Sequence, residues 1–153
     1  APISNISMGA GKKLSLHQHA TVQDAYKKFK DDGYLIAATS LTAESVSLYD
    51  LPIDQKIALV FGTERVGISS AAQKGADLFV AIPMYGFTLS FNVSVSVALC
   101  LQSLILRLQA SDILKKKKTF SVNFICEKHS IFQRMPHTLF RTNKSLSMVF
   151  YHN

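Results

Sequence analysis

The chain has 153 residues, 48% hydrophobic and 18% charged, which suits one domain with a packed core and excludes a disordered polymer. Its two cysteines cannot build a disulfide scaffold and are expected as reduced thiols. The formal net charge of +7 is unevenly spread: residues 1–111 carry nine Lys/Arg against eight Asp/Glu, and residues 112–153 carry eight against two.

Taken in order, Ala1 to Ala10 has no basic stretch followed by an apolar one, so it does not read as a signal peptide. It begins without Met, and the expectation is an incomplete or processed chain. Thr21 to Lys30 starts with an N-cap residue and sets Val22, Ala25, Tyr26 and Phe29 at helical spacing. Gly33 stops that helix. Tyr34 to Thr39 is a continuous apolar run, as expected of a strand covered on both faces. Glu44 to Asp54 reads as a polar loop around Pro52. Ile57 to Phe61 is a second buried strand, ended by Gly62. Ser69 to Lys74 reads as a short helix stopped by Gly75, and Leu78 to Ile82 as a third strand ended by Pro83. Asn92 caps a long segment that runs to about Gln109. Strands alternating with helices predict an α/β fold with a mainly parallel sheet.

The segment from Phe91 to Leu108 is apolar enough to invite a membrane reading. Ser94, Ser96, Gln102, Ser103 and Arg107 interrupt it, and they would be costly in lipid. Val93, Val97, Leu101, Leu104 and Leu108 recur in steps of three or four, which predicts a core or interface helix. After Ser111 the texture changes. Lys115 to Lys118 is a like-charge block, and Phe120, Phe124, Phe132, Phe140, Phe150 and Tyr151 follow no period. The expectation is a 1–111 domain followed by a poorly ordered basic tail over 112–153. Basic residues interleaved with aromatics also suit contact with nucleic acid.

Two loops carry the chemistry. Phe61-Gly62-Thr63-Glu64-Arg65-Val66-Gly67-Ile68 follows a strand and precedes a helix. Its glycines let the backbone turn sharply and approach a ligand, and ligands in α/β sheets bind beyond the carboxyl ends of strands. The motif is neither a P-loop nor a full dinucleotide fingerprint. Ile82-Pro83-Met84-Tyr85-Gly86-Phe87-Thr88-Leu89-Ser90-Phe91-Asn92-Val93-Ser94-Val95 again follows a strand and opens a helix. His17 and His19 have no further Cys/His/Asp cluster beside them, so no metal site is expected. Cys100 falls within the apolar helix as a core residue, and Cys126 has no partners for nucleophilic chemistry.

Together the two loops resemble motifs two and three of the SpoU-type, TrmH-like branch of the SPOUT methyltransferases, RNA ribose 2′-O-methyltransferases that use S-adenosyl-L-methionine. The family pattern is roughly Phe-Gly-x-Glu-x-x-Gly, then Ile-Pro-Met-x-Gly, then Ser-Leu-Asn-Val-Ser-Val-Ala. The resemblance runs from about Ser7 to Leu108 and is nearest the tRNA guanosine type. Met8 to Leu14, His17 to His19, and Ala38 to Leu41 also resemble family segments.

The resemblance implies a C-terminal trefoil knot in the parallel α/β sheet, an exception to the rarity of knots. It implies S-adenosyl-L-methionine as cofactor, tRNA or rRNA as partner, a homodimer through the C-terminal helix, and an intracellular setting, in the cytoplasm or an RNA-containing organelle. Thr39, Gly62, Ile82 and Phe91 match cofactor-binding positions, with Phe91 standing where the family usually has Leu. Glu64, Ser90 and Asn92 match the polar residues of the catalytic site. The family's motif one supplies an Asn and an Arg from a segment that would precede Ala1. No match to it is found in this sequence. The competing expectation is a non-catalytic RNA-binding or dimer-partner protein that keeps the knotted fold.

Overall fold

The computed structural model describes residues 15–63, 66–86, 90–112, 122–127 and 146–151. Seven strands form one sheet: β1 (Ser15–His19), β2 (Tyr34–Thr39), β3 (Val46–Ser47), β4 (Lys56–Phe61), β5 (Leu78–Ala81), β6 (Val122–Glu127) and β7 (Leu146–Tyr151). Three helices accompany them among the described residues: α1 (Val22–Asp31), α2 (Ser70–Gly75) and α3 (Val93–Ala110). The strand order is β1-β7-β6-β4-β2-β5-β3, and every neighbouring pair is parallel. All carboxyl ends therefore lie along one edge.

Each helix begins where a side chain satisfies an orphan N–H of the first turn. Thr21 Oγ1 accepts from Asp24 N–H at 3.1 Å, Ser69 Oγ from Ala72 N–H at 3.3 Å, and Asn92 Oδ1 from Ser94 N–H at 2.9 Å. Gly33, just past α1, has φ +78°, a left-handed turn that glycine adopts without strain.

The central strands are apolar on both sides because helices cover both faces. Ala37 of β2 and Ile57, Leu59 and Phe61 of β4 pack with Val93, Val97, Cys100, Leu101 and Leu104 of α3. Ile36 and Ala38 of β2 and Ala58 and Val60 of β4 pack instead with α1 and α2. α3 is long and apolar enough to pass for a membrane span. Here its Val93, Val97, Cys100, Leu101, Leu104 and Leu108 are buried in the fold. Arg107, a charge in that apolar helix, donates from its two terminal nitrogens to the carbonyls of Leu48 at 3.0 Å and Leu51 at 2.7 Å. It thereby ties α3 to the turn after β3.

The structure differs from the sequence expectation in three places. The loop over 44–54 contains the two-residue strand β3, which pairs with β5. Ser15–His19, of which His17 to His19 was read only as a family-like segment, is a strand. The segment after Ser111, expected as a poorly ordered basic tail, supplies two strands among its described residues. β6 lies beside β4, with Val122 against Ile57 and Phe124 against Leu59, and β7 lies between β6 and β1. The physical reason is tertiary: the edge of β4 offers unpaired backbone groups to an apolar segment. Val122, Phe124, Ile125 and Cys126 are buried, and the Phe124 ring stacks on Phe61 with centroids 6.0 Å apart. Lys115 to Lys118, Phe120, Phe132 and Phe140 lie outside the described residues.

Candidate functional site

The site lies where β2, β4 and β5 end side by side. Because β2 sits between β4 and β5, three loops converge at the edge where open parallel sheets bind ligands. Thr39 ends β2 and is followed by Ser40 and Leu41; Gly62, Thr63 and Val66 to Ile68 follow β4; Ile82 and Met84 follow β5. Together with Ser90, Phe91, Val93 and Ser96 at the start of α3, they enclose a cleft of about 340 Å³.

Backbone pairing sets the walls. Thr39 Oγ1 donates to the Val60 carbonyl at 2.9 Å, locking the end of β2 to β4. Ser40 N–H donates to the Val80 carbonyl at 3.0 Å. In the loop after β4, Thr63 and Gly67 exchange two backbone hydrogen bonds, each 2.9 Å. That bridge folds the chain back on itself, with Gly67 at φ +73°. Gly62 is needed for a different reason: a Cβ there would overlap the backbone of Gly67 and Ile68. The side-chain amide of Gln73 donates to the Ile68 carbonyl at 2.9 Å and holds the far end of the loop.

The structure brings Thr39, Gly62, Ile82, Phe91 and Ser90, all singled out from sequence, into the lining of this one cleft. Asn92 is placed as the cap of α3, with its side-chain oxygen engaged by Ser94 N–H. Glu64 lies outside the described residues, as does Arg65. Two lining residues, Gln73 and Ser96, were not read from sequence. Ser96 follows Asn92 by one helical turn, a spacing that places both at one end of α3. Gln73 carries no such signal.

The cleft fits an adenosyl ligand in kind. Its volume is at the lower end of the roughly 300–1,000 Å³ usual for small-molecule sites. Its wall mixes apolar side chains (Phe61, Ile68, Val80, Ile82) with strand-end backbone and the hydroxyls of Thr39, Ser40 and Ser90. A purine and a ribose would use that mixture. Among the described residues, no group of three or more His, Cys, Asp or Glu could hold a metal.

Fold and cleft together define a parallel α/β domain with a cleft of small-molecule size at the carboxyl ends of its central strands. The model of the SpoU rRNA Methylase family matches residues 2–102, and the chain belongs to that family. It is 43% identical over 109 residues to a tRNA (guanosine(18)-2′-O)-methyltransferase of Borreliella burgdorferi, covering 71% of this chain and 50% of the relative. The enzyme of the same name from Thermus thermophilus is 33% identical over 62% of this chain and 49% of its own. Among solved structures, a TrmH/SpoU tRNA modifying enzyme of A. aeolicus superposes with a TM-score of 0.66 at 28% identity, covering 75% of this chain and 58% of that one. The chain thus spans about half the length of the curated relatives it matches.

Proposed function

We propose that this chain is the cofactor-binding part of an S-adenosyl-L-methionine-dependent RNA ribose 2′-O-methyltransferase acting on tRNA or rRNA inside the cell. The carrying observation is the convergence of Thr39, Gly62, Ile82, Ser90 and Phe91 in one cleft. They come from three separate strand ends and a helix start, and all match family motif positions. The names of the relatives, tRNA (guanosine(18)-2′-O)-methyltransferases, favour tRNA over rRNA.

Bound S-adenosyl-L-methionine would supply a methyl group made electrophilic by its sulfonium. The chain's own contribution is binding and orientation. A ribose 2′-hydroxyl is a poor nucleophile near neutral pH, so its approach must be fixed and its proton removed. Gly62 and Ile82 offer backbone polar groups to the cofactor at the strand ends, and Thr39 shapes the adjacent corner. Phe91, with its ring at the mouth, takes the place of the family's smaller Leu beside the adenine. The Ser90 hydroxyl is assigned to the substrate ribose. Asn92 holds the first turn of α3 and so fixes Ser90 and Phe91 beside it. Glu64 is proposed to complete the polar site. Help with the proton and the RNA phosphate belongs to the Asn and Arg of the family's first motif, which have no counterpart in these 153 residues.

The proposal includes the trefoil knot formed where the chain after the third motif passes through the loop after β4. It also includes a homodimer through α3. Val95, Leu99 and Leu106 lie exposed along that helix, and an apolar stripe of this kind suits a second copy.

The test is calorimetric titration of the full chain with S-adenosylhomocysteine, followed by transfer of labelled methyl to an unmodified tRNA transcript. Saturable binding that is lost in a Glu64→Ala, Asn92→Ala double variant supports the cleft as the cofactor site. Binding with methyl transfer supports catalysis by this chain. Binding of cofactor and RNA without transfer supports the non-catalytic RNA-binding or dimer-partner reading. A folded chain that binds no S-adenosylhomocysteine overturns the proposal.

A further inference from the structure

We infer that Tyr85 is a stacking platform for a nucleobase of the RNA substrate, an inference that rests on the methyltransferase reading above. Tyr85 is 98% exposed, the most open of the large hydrophobic side chains among the described residues. Its place is specific. Met84, directly before it, lines the cleft, as do Ser90 and Phe91 further along the same connection between β5 and α3.

The mouth of the cleft is unusually apolar for a solvent-facing rim. Leu41 after β2, Val66 after β4 and Phe91 before α3 all line the cleft and are all exposed. Together with Tyr85 they come from three different loops that the sheet brings to one edge. Exposed apolar side chains scattered singly need no explanation, but a cluster rimming a cleft marks a binding surface.

The chemistry of the reaction selects the occupant. A 2′-hydroxyl in a structured RNA lies beside its own base, within a stack. In a loop that base can be splayed out of the stack, and unstacking costs free energy unless another flat surface replaces the lost neighbour. An exposed aromatic ring is such a surface, and it accepts any base because every base presents a π-face. Tyr85 offers a fully exposed ring one residue beyond Met84 of the cleft wall. A second copy of the chain has a separate apolar stripe further along α3, in Leu99 and Leu106.

The test uses the full chain with two probes: S-adenosylhomocysteine by calorimetry, and a fluorescein-labelled unmodified tRNA transcript by anisotropy. Tyr85→Ala is expected to weaken RNA binding about fivefold to a hundredfold, the range for losing one stacked base. Tyr85→Phe keeps the ring and is expected to bind within about twofold of wild type. Both variants should bind S-adenosylhomocysteine as wild type does. RNA affinity unchanged in Tyr85→Ala overturns the inference, as does a Tyr85→Phe loss equal to that of Tyr85→Ala. So does a wild-type chain that binds S-adenosylhomocysteine but no RNA, or a Tyr85→Ala variant whose main defect is loss of a dimer in sedimentation. Failure of the wild-type chain to bind S-adenosylhomocysteine would instead overturn the methyltransferase reading beneath it.

Discussion

Gly67 lies so close to Gly62 that residue 62 has no room for a side chain: a Cβ there would overlap the Gly67 carbonyl group and the Ile68 nitrogen. The loop after β4 is closed by this contact and by the paired hydrogen bonds between Thr63 and Gly67. Gly62→Ala must therefore push the loop outward, into or away from the cleft wall. The expected cost is about 1–3 kcal/mol of stability, typical of overpacking, with S-adenosylhomocysteine binding lost or sharply weakened. Gly86→Ala is the control, because a Cβ at Gly86 meets nothing within 4 Å. Urea denaturation and calorimetry on both variants would check this. Equal behaviour of the two would show that the loop does not pack as described.

The ring pair Phe61–Phe124 offers a test of β6. Phe124 is fully buried, and its ring lies at 29° to that of Phe61. Truncating a buried phenylalanine costs about 3–5 kcal/mol. Phe124→Ala should show a loss of that size in urea denaturation. The exposed Leu106→Ala should cost far less. A Phe124→Ala loss near zero would mean that the segment over 122–127 does not fill the sheet beside β4.

The two helix-spacing patterns, the three buried runs and the motif loops were legible in the sequence because each follows a local rule. Capping residues precede the helices, and glycines end them or open the loops. Thr39, Gly62, Ile82, Ser90 and Phe91 could be proposed together only through family motifs, since their convergence depends on β2 lying between β4 and β5. β6 was not legible. Val122-Asn123-Phe124-Ile125-Cys126 is short and sits in a Lys- and Phe-rich context without period. Its strand state comes from the unpaired edge of β4, a tertiary cause that no local pattern records. Gln73 was missed for a related reason: its bond to the Ile68 carbonyl exists only once α2 folds back against the loop.

Arg107 is the charged residue among those that interrupt the apolar run of α3, and its two hydrogen bonds explain it. Leu51, whose carbonyl accepts at 2.7 Å, is itself fully buried. Arg107→Met keeps the length of the side chain but removes both donors. The expected loss is about 1.5–3 kcal/mol, as for hydrogen bonds made by a charged group. Arg107→Lys should recover only part of it, because an ammonium cannot reproduce the two-pronged geometry. Chemical denaturation of the three proteins would check the order. Stability of Arg107→Met at or above wild type would mean that the two carbonyls are satisfied without Arg107.

Cys100 gives the chain a pH signature. Burial in α3 pushes its thiol up to about 12 from an ordinary 9.0. Below the ordinary value the thiol is protonated in both folded and unfolded chains, so it adds no pH dependence. Above it, the unfolded chain releases the proton while the folded chain holds it. The folded state then binds more protons, and stability falls as pH rises through the window from 9.0 to about 12. The limiting slope is about 1.4 kcal/mol per pH unit for one proton. The comparison is with Cys100→Ala, which lacks only this group. Unfolding free energies measured across that window should fall more steeply for wild type than for Cys100→Ala. Parallel profiles would show that the thiol ionises as easily in the folded chain as in the unfolded one, and that α3 does not bury it.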